Sequence, residues 1–357
     1  MTKFYPLRIR ELRRETADTV SIAFELPDNL RDTFRFTQGQ YLTLRTTLDG
    51  EEVRRSYSIC TGVHENDLRV AVKKMEGGLF STWANDVLRT GDVLEVMPPQ
   101  GRFFTPLDPD SRRLYVAFAV GSGITPVISI LKTTLVQEPH SRFVLFYGNR
   151  GFDHIVFREQ LEALKNRYPD QLSVHHVLSR ESIGSPLFYG RMDGEKCRQF
   201  GRFFFQPTDV DAYFLCGPEE MIFSIKDTLA TLGVDTKSIH FELFATDGAK
   251  RKARSVADSV SRDSFDASVT LIQDGTQFDF LLPSDGSTLL DAAMRAGADL
   301  PFSCKGGVCS TCKAKVLEGE VQMDLNYGLE ADEVAAGYVL TCQSHPKTRR
   351  LVVTFDE

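Results

Sequence analysis

At 357 residues the chain exceeds what one hydrophobic core organises, because domains usually run to ~100–200 residues, so two or three are expected. With 42% hydrophobic and 25% charged residues, a charged and alternating start from Met1 to Arg14, and no apolar run near the ~18 residues of a membrane span, it reads as a cytoplasmic enzyme without membrane contact. The formal net charge of −7 lies wholly from Asp266 onward, where 7 Lys+Arg face 14 Asp+Glu; this argues against a nucleic-acid ligand and leaves either a solvated acidic face or a docking surface for a basic partner.

The first hundred residues are patterned as short alternating strands, at Pro6–Leu12, Thr19–Leu26, Gln40–Thr46, Arg55–Cys60, Leu68–Lys74 and Val93–Met97. Gly, Asp and Asn punctuate them as in an antiparallel barrel or sandwich, with one helix near Ser81–Leu88. Within this region Arg55-Ser56-Tyr57-Ser58 falls at a strand end. A guanidinium there can grip a flavin pyrophosphate in fork geometry, a tyrosine two residues on can lay its ring on the isoalloxazine, and Ser58 can reach the reactive N5 edge. The same alternation also suits a solvent-facing strand. Gly77-Gly78 before a helix start at Ser81 offers free N–H groups to a phosphate, or simply caps the helix.

From Arg112 the texture changes. Leu114–Val120 is a continuous apolar strand, followed by Gly121-Ser122-Gly123 and an amphipathic helix from Thr125-Pro126 to about Val136. Strands at Phe143–Tyr147, Leu172–Leu178 and Ala212–Cys216 alternate with helices at Phe157–Tyr168 and Pro218–Leu232, which implies right-handed βαβ units and a parallel sheet. The glycine turn after the first strand suits a nucleotide phosphate or a plain tight turn, since the full G-x-G-x-x-G is absent. Cys216-Gly217-Pro218 ends another strand on the same edge, where the cysteine either faces a nicotinamide crevice or is structural. Arg150 and Ser179-Arg180 close the second and third strands; a hydroxyl with guanidiniums suits a 2′-phosphate, hence NADPH rather than NADH. His175 and His176 are adjacent on a strand and point to opposite faces, and no hydrolase constellation is legible.

Ala245–Asp266 reads as a polar, partly basic exposed linker. A hairpin follows, Ala267–Gln273 and Phe278–Leu282 through Asp274-Gly275, then a helix at Thr288–Ala296 and strands near Ala314–Leu317 and Leu351–Phe355. Between them lies the sharpest motif, Cys304-x4-Cys309-x2-Cys312 with Cys342 thirty residues later, the plant-type [2Fe–2S] spacing. Two irons need four thiolates, and Gly306, Gly307, Ser310 and Thr311 are small enough for backbone N–H groups to approach the sulfurs. The rival is tetrahedral zinc on Cys309, Cys312, Cys342 and His345, which leaves Cys304 and both glycines without a purpose.

Taken together, these motifs resemble the ferredoxin–NADP reductase superfamily with a plant-type ferredoxin domain fused at the C-terminus. The resemblance implies a multidomain fold: an antiparallel β-barrel FAD domain over 1–108, an α/β parallel-sheet NADP domain over 112–245, a linker over 246–265, and an α+β β-grasp [2Fe–2S] domain over 266–357. It implies FAD as the flavin, with Arg55, Tyr57 and Ser58, the stretch Ala71-Val72-Lys73, and Phe80-Ser81-Thr82 as contacts. It further implies Ser179 and Arg180 for the 2′-phosphate, Cys216 and Gly217 beside the nicotinamide, and Glu242 and Phe244 closing the flavin site, although chain continues beyond Phe244. Ser58 and Glu242 become candidate proton handlers near N5. More narrowly, Arg55-Ser-Tyr-Ser-Ile-Cys60, Cys304-Lys-Gly-Gly-Val-Cys309 and Gly337-Tyr-Val-Leu-Thr-Cys342 are similar to the reductase subunits of bacterial phenylacetyl-CoA epoxidases. That likeness implies a relay from NADPH through FAD and the cluster to a di-iron oxygenase docking at the acidic ferredoxin domain. The alternatives are the same relay serving a steroid or aromatic-ring oxygenase, and a zinc-bearing nucleotide sensor.

Overall fold

Three sheets organise the chain, and the turns between their strands are set by a few residues that only certain side chains tolerate. The structure is a computed structural model describing residues 3–182, 184–244, 265–283 and 286–356. The expected linker at 246–265 lies almost entirely outside the described residues. Among the described residues no helix is long and apolar enough to cross a membrane.

The first sheet comprises β1 (Tyr5–Thr16), β2 (Thr19–Phe24), β3 (Tyr41–Leu48), β4 (Glu51–Ser58), β5 (Arg69–Lys73) and, after helix α1 (Leu79–Asp86), β6 (Val93–Val96). Their spatial order is β4-β3-β6-β1-β2-β5, and an antiparallel bridge from Ile59 to Val70 joins the chain just beyond β4 to β5, so the sheet closes into a barrel. Strand β4 begins four residues earlier than the pattern from Arg55 predicts. Asp49 and Gly50 both have positive φ (51° and 82°), the conformation of a tight hairpin, and fold β4 straight back along β3. Two polar residues, Glu51 and Glu52, hide that start in the pattern.

The second sheet is parallel, in the order β11-β10-β7-β8-β9. Its elements run β7 (Leu114–Val120), α2 (Ile124–Gln137), β8 (Arg142–Asn149), α3 (Arg158–Arg167), β9 (Leu172–Leu178), α4 (Gly194–Phe203), β10 (Ala212–Gly217), α5 (Glu219–Thr231) and β11 (Ile239–Leu243). Burial on both faces explains the unbroken apolar runs of β7, β8 and β10. Helix α4 was not legible as a helix because its apolar face is narrow, with Cys197 and Phe200 buried and most other positions polar; Asp193 caps it by accepting from the Lys196 N–H at 2.9 Å. The strand order reverses between β10 and β7, which creates the crevice at the carboxyl edge where open α/β sheets take nucleotides. The barrel is fastened to α2 by Ser129, whose hydroxyl donates to the Thr61 carbonyl at 2.7 Å, and by an ion pair between Lys132 and Glu65 at 3.1 Å.

The third sheet, β13-β12-β18-β14-β16, is mixed, with β12 and β18 parallel. It contains β12 (Ala267–Gln273), β13 (Thr276–Leu282), β14 (Lys313–Glu318), β16 (Tyr338–Leu340) and β18 (Arg350–Thr354), with α6 (Leu289–Arg295), a short helix α7 (Ala331–Ala335) and a small β15 (Val321–Met323)/β17 (Ser344–Pro346) pair. Asp274 and Gly275 (φ 51° and 69°) make the predicted hairpin turn. Helix α6 is capped by Thr288, which accepts from the Asp291 N–H, and its buried face packs Leu290 and Ala293 with Leu271, Leu300 and Leu340. This is an α+β grasp of a helix by a curved sheet.

The described residues form two compact units. One holds Pro6–Leu44 and Tyr57–Phe244; the other combines Arg45–Ser56 with the described part of the C-terminal region.

Candidate functional site

The cysteine loop is built by residues that permit unusual backbone. Lys305, Gly307 and Ser310 all have positive φ (49°, 76° and 54°), and a Cβ on Gly307 would stand 2.9 Å from the Leu325 carbonyl oxygen. Ser310 donates to the Gly328 carbonyl at 2.6 Å, Thr341 to the Cys312 carbonyl at 3.0 Å, and Gln343 to the Lys305 carbonyl at 2.9 Å, so the loop is strapped from both sides. Around the sulfurs, the Gly306 and Cys309 N–H groups point at Cys304 Sγ (3.3 and 3.4 Å), and the Thr311 hydroxyl at Cys309 Sγ (3.2 Å). The Cys309 thiol and the backbone N–H groups of Gly306, Val308 and Cys309 hold the Cys304 thiol below the ordinary range, while the Cys309 thiol of the same pair is pushed up.

The four thiols fall into two hydrogen-bonded pairs, Cys304 with Cys309 and Cys312 with Cys342. All are free of disulfides, and among the described residues no three metal-ligating side chains converge on one cation position. Four cysteines with amide N–H groups aimed at a sulfur are the donors that a [2Fe–2S] cluster takes. The donor set therefore fits a [2Fe–2S] cluster. Gln343, whose amide lies 3.6 Å from Cys342 Sγ, was not singled out in the sequence; adjacency to a ligand was its one signal.

Among the flavin candidates, Arg55, Ser56 and Tyr57 are partly exposed on β4, while Ser58 is 3% exposed. The Tyr57 ring lies against Phe80 (centroids 5.5 Å apart, 32° between planes), so a buried phenylalanine props the platform. Ala71 and Val72 are core residues, and Lys73 is paired with Asp18 at 3.5 Å. Helix α1 starts after Gly77, which has φ 73° and open space around it, and its cap Gly78 brings no side-chain bond. Ser81 commits its hydroxyl to the turn itself, donating to the Gly78 carbonyl and accepting from the Met75 N–H. Partly exposed Thr82 bonds through its N–H to the Gly78 carbonyl, leaving the first-turn N–H groups for a phosphate. A propped ring and a helix N-terminus with room before it fit a flavin with a phosphate tail.

At the crevice of the parallel sheet, Gly121 has φ 58° with open space beside it, and Ser122 is partly exposed. Gly123 serves packing instead: a Cβ there would stand 2.1 Å from the Cys216 carbonyl oxygen. Thr125 and Pro126 are buried, and the Thr125 hydroxyl donates to the Ser122 carbonyl at 3.0 Å. Gly217 is partly exposed and Pro218 exposed. Of the two readings open for Cys216, its burial favours the structural one: the residue is 0% exposed within the core packed on β7 and β10, and burial, with the Glu242 charge, pushes its thiol well above the ordinary range. Ser179 and Arg180 extend the parallel ladder past β9, donating from their N–H groups to the Asn149 and Arg150 carbonyls at 2.9 and 3.0 Å, which sets exposed Arg150 and Arg180 side by side on the carboxyl edge. Phe244 is 37% exposed.

Glu242 on β11 accepts from the Ser58 hydroxyl at 3.0 Å, a pairing across 184 residues. Burial raises its carboxyl to about 8, with the Ser58 bond pulling the other way. The residue still keeps some surface. The folded chain thus holds this proton more tightly than the unfolded one between about 4.5 and about 8, and its contribution to stability falls as pH rises through that window. Partial exposure screens the charge and limits the effect to ~1 kcal/mol. Relative to the native protein, Glu242→Gln should therefore gain about 2–4 °C in melting temperature between pH 5 and pH 8.5. A difference independent of pH would contradict the assignment.

Residues 6–104 match the oxidoreductase FAD-binding domain family, residues 118–227 the oxidoreductase NAD-binding domain family, and residues 271–347 the 2Fe-2S iron-sulfur cluster binding domain family. Along 100% of its length the chain is 46% identical to one of the subunits of 1,2-phenylacetyl-CoA epoxidase of Escherichia coli (strain K12), covering 99% of that protein. It is 37% identical to the ferredoxin reductase component of 3-ketosteroid-9-alpha-monooxygenase of Rhodococcus rhodochrous, with 98% of this chain and 96% of that one aligned. Among solved structures, phthalate dioxygenase reductase superposes with a TM-score of 0.59 at 25% identity, covering 99% of this chain and 98% of its own.

Proposed function

We propose, because this chain belongs to the family of oxygenase reductases that join FAD-binding, NAD-binding and 2Fe-2S domains, that it carries electrons from NADPH to a di-iron epoxidase acting on phenylacetyl-CoA. The observation that carries this reading is the 46% identity spanning essentially the whole of both chains. When bound, FAD accepts a two-electron hydride and returns electrons singly, and the cluster carries them one at a time.

The chain's own residues bind and orient. Arg55 pairs with the flavin pyrophosphate, the Tyr57 ring supports the isoalloxazine, and the first turn of α1 receives phosphate oxygens. The turn from Gly121 to Gly123 takes the nucleotide diphosphate, and Ser179 with Arg150 and Arg180 takes the 2′-phosphate that distinguishes NADPH. Glu242, protonated near neutral pH and bonded to Ser58, holds a proton beside the flavin edge. Cys304, Cys309, Cys312 and Cys342 hold the cluster. The oxygenase docks on the acidic ferredoxin domain, a reading supported by its 14 Asp+Glu against 7 Lys+Arg. Seven disulfide-free cysteines support a cytoplasmic setting.

Anaerobic titration of the purified protein with NADPH tests the relay. Flavin and iron–sulfur bands should bleach together, and the reduced protein should pass electrons to the purified phenylacetyl-CoA epoxidase. Transfer instead to a ketosteroid hydroxylase, the system of the 37% identical relative, would keep the relay and replace the partner.

A further inference from the structure

Strand β4 has two faces. Its period of two puts Arg55 on the face assigned to flavin and turns Arg54 and Ser56 to the other. The Arg54 side chain is only 4% exposed. Its Nε donates to Glu52 Oε1 at 2.7 Å, one terminal nitrogen donates to the Leu300 carbonyl at 3.2 Å, and the other lies 3.4 Å from Asp299 Oδ1. The guanidinium sits over the Phe302 ring, 4.3 Å from its centroid. Two residues on, the Ser56 hydroxyl donates to Ser303 Oγ at 2.7 Å. Thus Asp299, Leu300, Phe302 and Ser303 are all held by β4, and the next residue is Cys304.

A buried guanidinium persists only where its donors are matched; apart from Glu52 on its own strand, this one directs its donors at the segment entering the cluster loop. We propose that Arg54 is a positioning residue for electron transfer from flavin to cluster: it fixes Asp299–Ser303, and through it Cys304, against the strand that bears Arg55. The inference rests on the relay proposed above. The step moves one electron, supplied by NADPH through the flavin, onto one ferric iron, with no bond made or broken. Misplacement by ~1 Å can cost ~100-fold in rate, so a lost clamp should be visible kinetically.

The test uses the full-length holoprotein and the variants Arg54→Leu and Arg54→Lys. After anaerobic rapid mixing with NADPH, flavin bleaching should proceed within about two-fold of native, while cluster bleaching slows at least ~10-fold in Arg54→Leu and less in Arg54→Lys. Hydrogen exchange at the Leu300, Phe302 and Ser303 amides should quicken in Arg54→Leu in parallel. Unchanged cluster bleaching in Arg54→Leu overturns the positioning role, whatever the exchange shows. Should Arg54→Leu not fold, an unchanged rate in Arg54→Lys, which has no fork, overturns it equally. If NADPH fails to bleach flavin or cluster in the native protein, the relay itself falls and the positioning role falls with it.

Discussion

Cys309→Ser is expected to give a chain whose flavin is still reduced by NADPH but which delivers no electrons to an oxygenase. Cys309 shares a hydrogen-bonded thiol pair with Cys304 and receives the Thr311 hydroxyl at 3.2 Å, and in the ligand set proposed above it would help hold the cluster. Serine keeps the shape and removes the soft thiolate that iron–sulfur chemistry selects. Losing an outer-shell partner typically costs 10–100-fold in metal affinity, so losing a ligand should exceed ~100-fold and leave little iron after purification. The flavin candidates on β4 and α1 make no use of this loop's sulfurs, and flavin absorbance should persist. Iron analysis, visible absorbance and electron delivery to the oxygenase measure the three consequences. A variant that keeps its iron and the [2Fe–2S] spectrum would remove Cys309 from the ligand set.

What was legible in the sequence was local. Three of the four cluster cysteines lie within nine residues, and their spacing alone distinguishes a [2Fe–2S] loop from most zinc sites. The continuous apolar strands of the parallel sheet were legible because burial on both faces leaves no alternation to misread. What depends on packing across the chain was not. Cys216 stands at a strand end in sequence, yet it is an inner-strand residue between β7 and β11 whose side chain belongs to the hydrophobic core. Gly123 has to be a glycine because of its close approach to the Cys216 backbone, a requirement that no local pattern reveals. The Ser58–Glu242 bond joins residues no local pattern connects, and the resemblance alone had placed them together. Arg54 carries no local signal beside Arg55, because a strand's period indicates alternate faces but not what each face meets.

Arg180→Ala should divide the two nicotinamide nucleotides. The backbone bonds from Ser179 and Arg180 to Asn149 and Arg150 bring two exposed guanidiniums and a hydroxyl to adjacent strand ends, a concentration of positive charge suited to a phosphate dianion. One charge-assisted interaction is worth ~1.5–3 kcal/mol, so kcat/KM for NADPH should fall ~10- to 100-fold. NADH lacks the group that Arg180 meets, and its kcat/KM should stay within about three-fold. The 2′-phosphate is remote from the transferred hydride, so the loss should appear in KM with kcat preserved, the mark of binding energy common to ground and transition states. Arg150→Ala should weaken NADPH in the same direction, and because both guanidiniums are exposed, rising salt should shrink the native preference. Steady-state rates with both nucleotides at two ionic strengths decide the matter. An equal loss for NADH and NADPH would assign Arg180 to the diphosphate or to the fold, and a native protein that already prefers NADH would overturn the 2′-phosphate reading altogether.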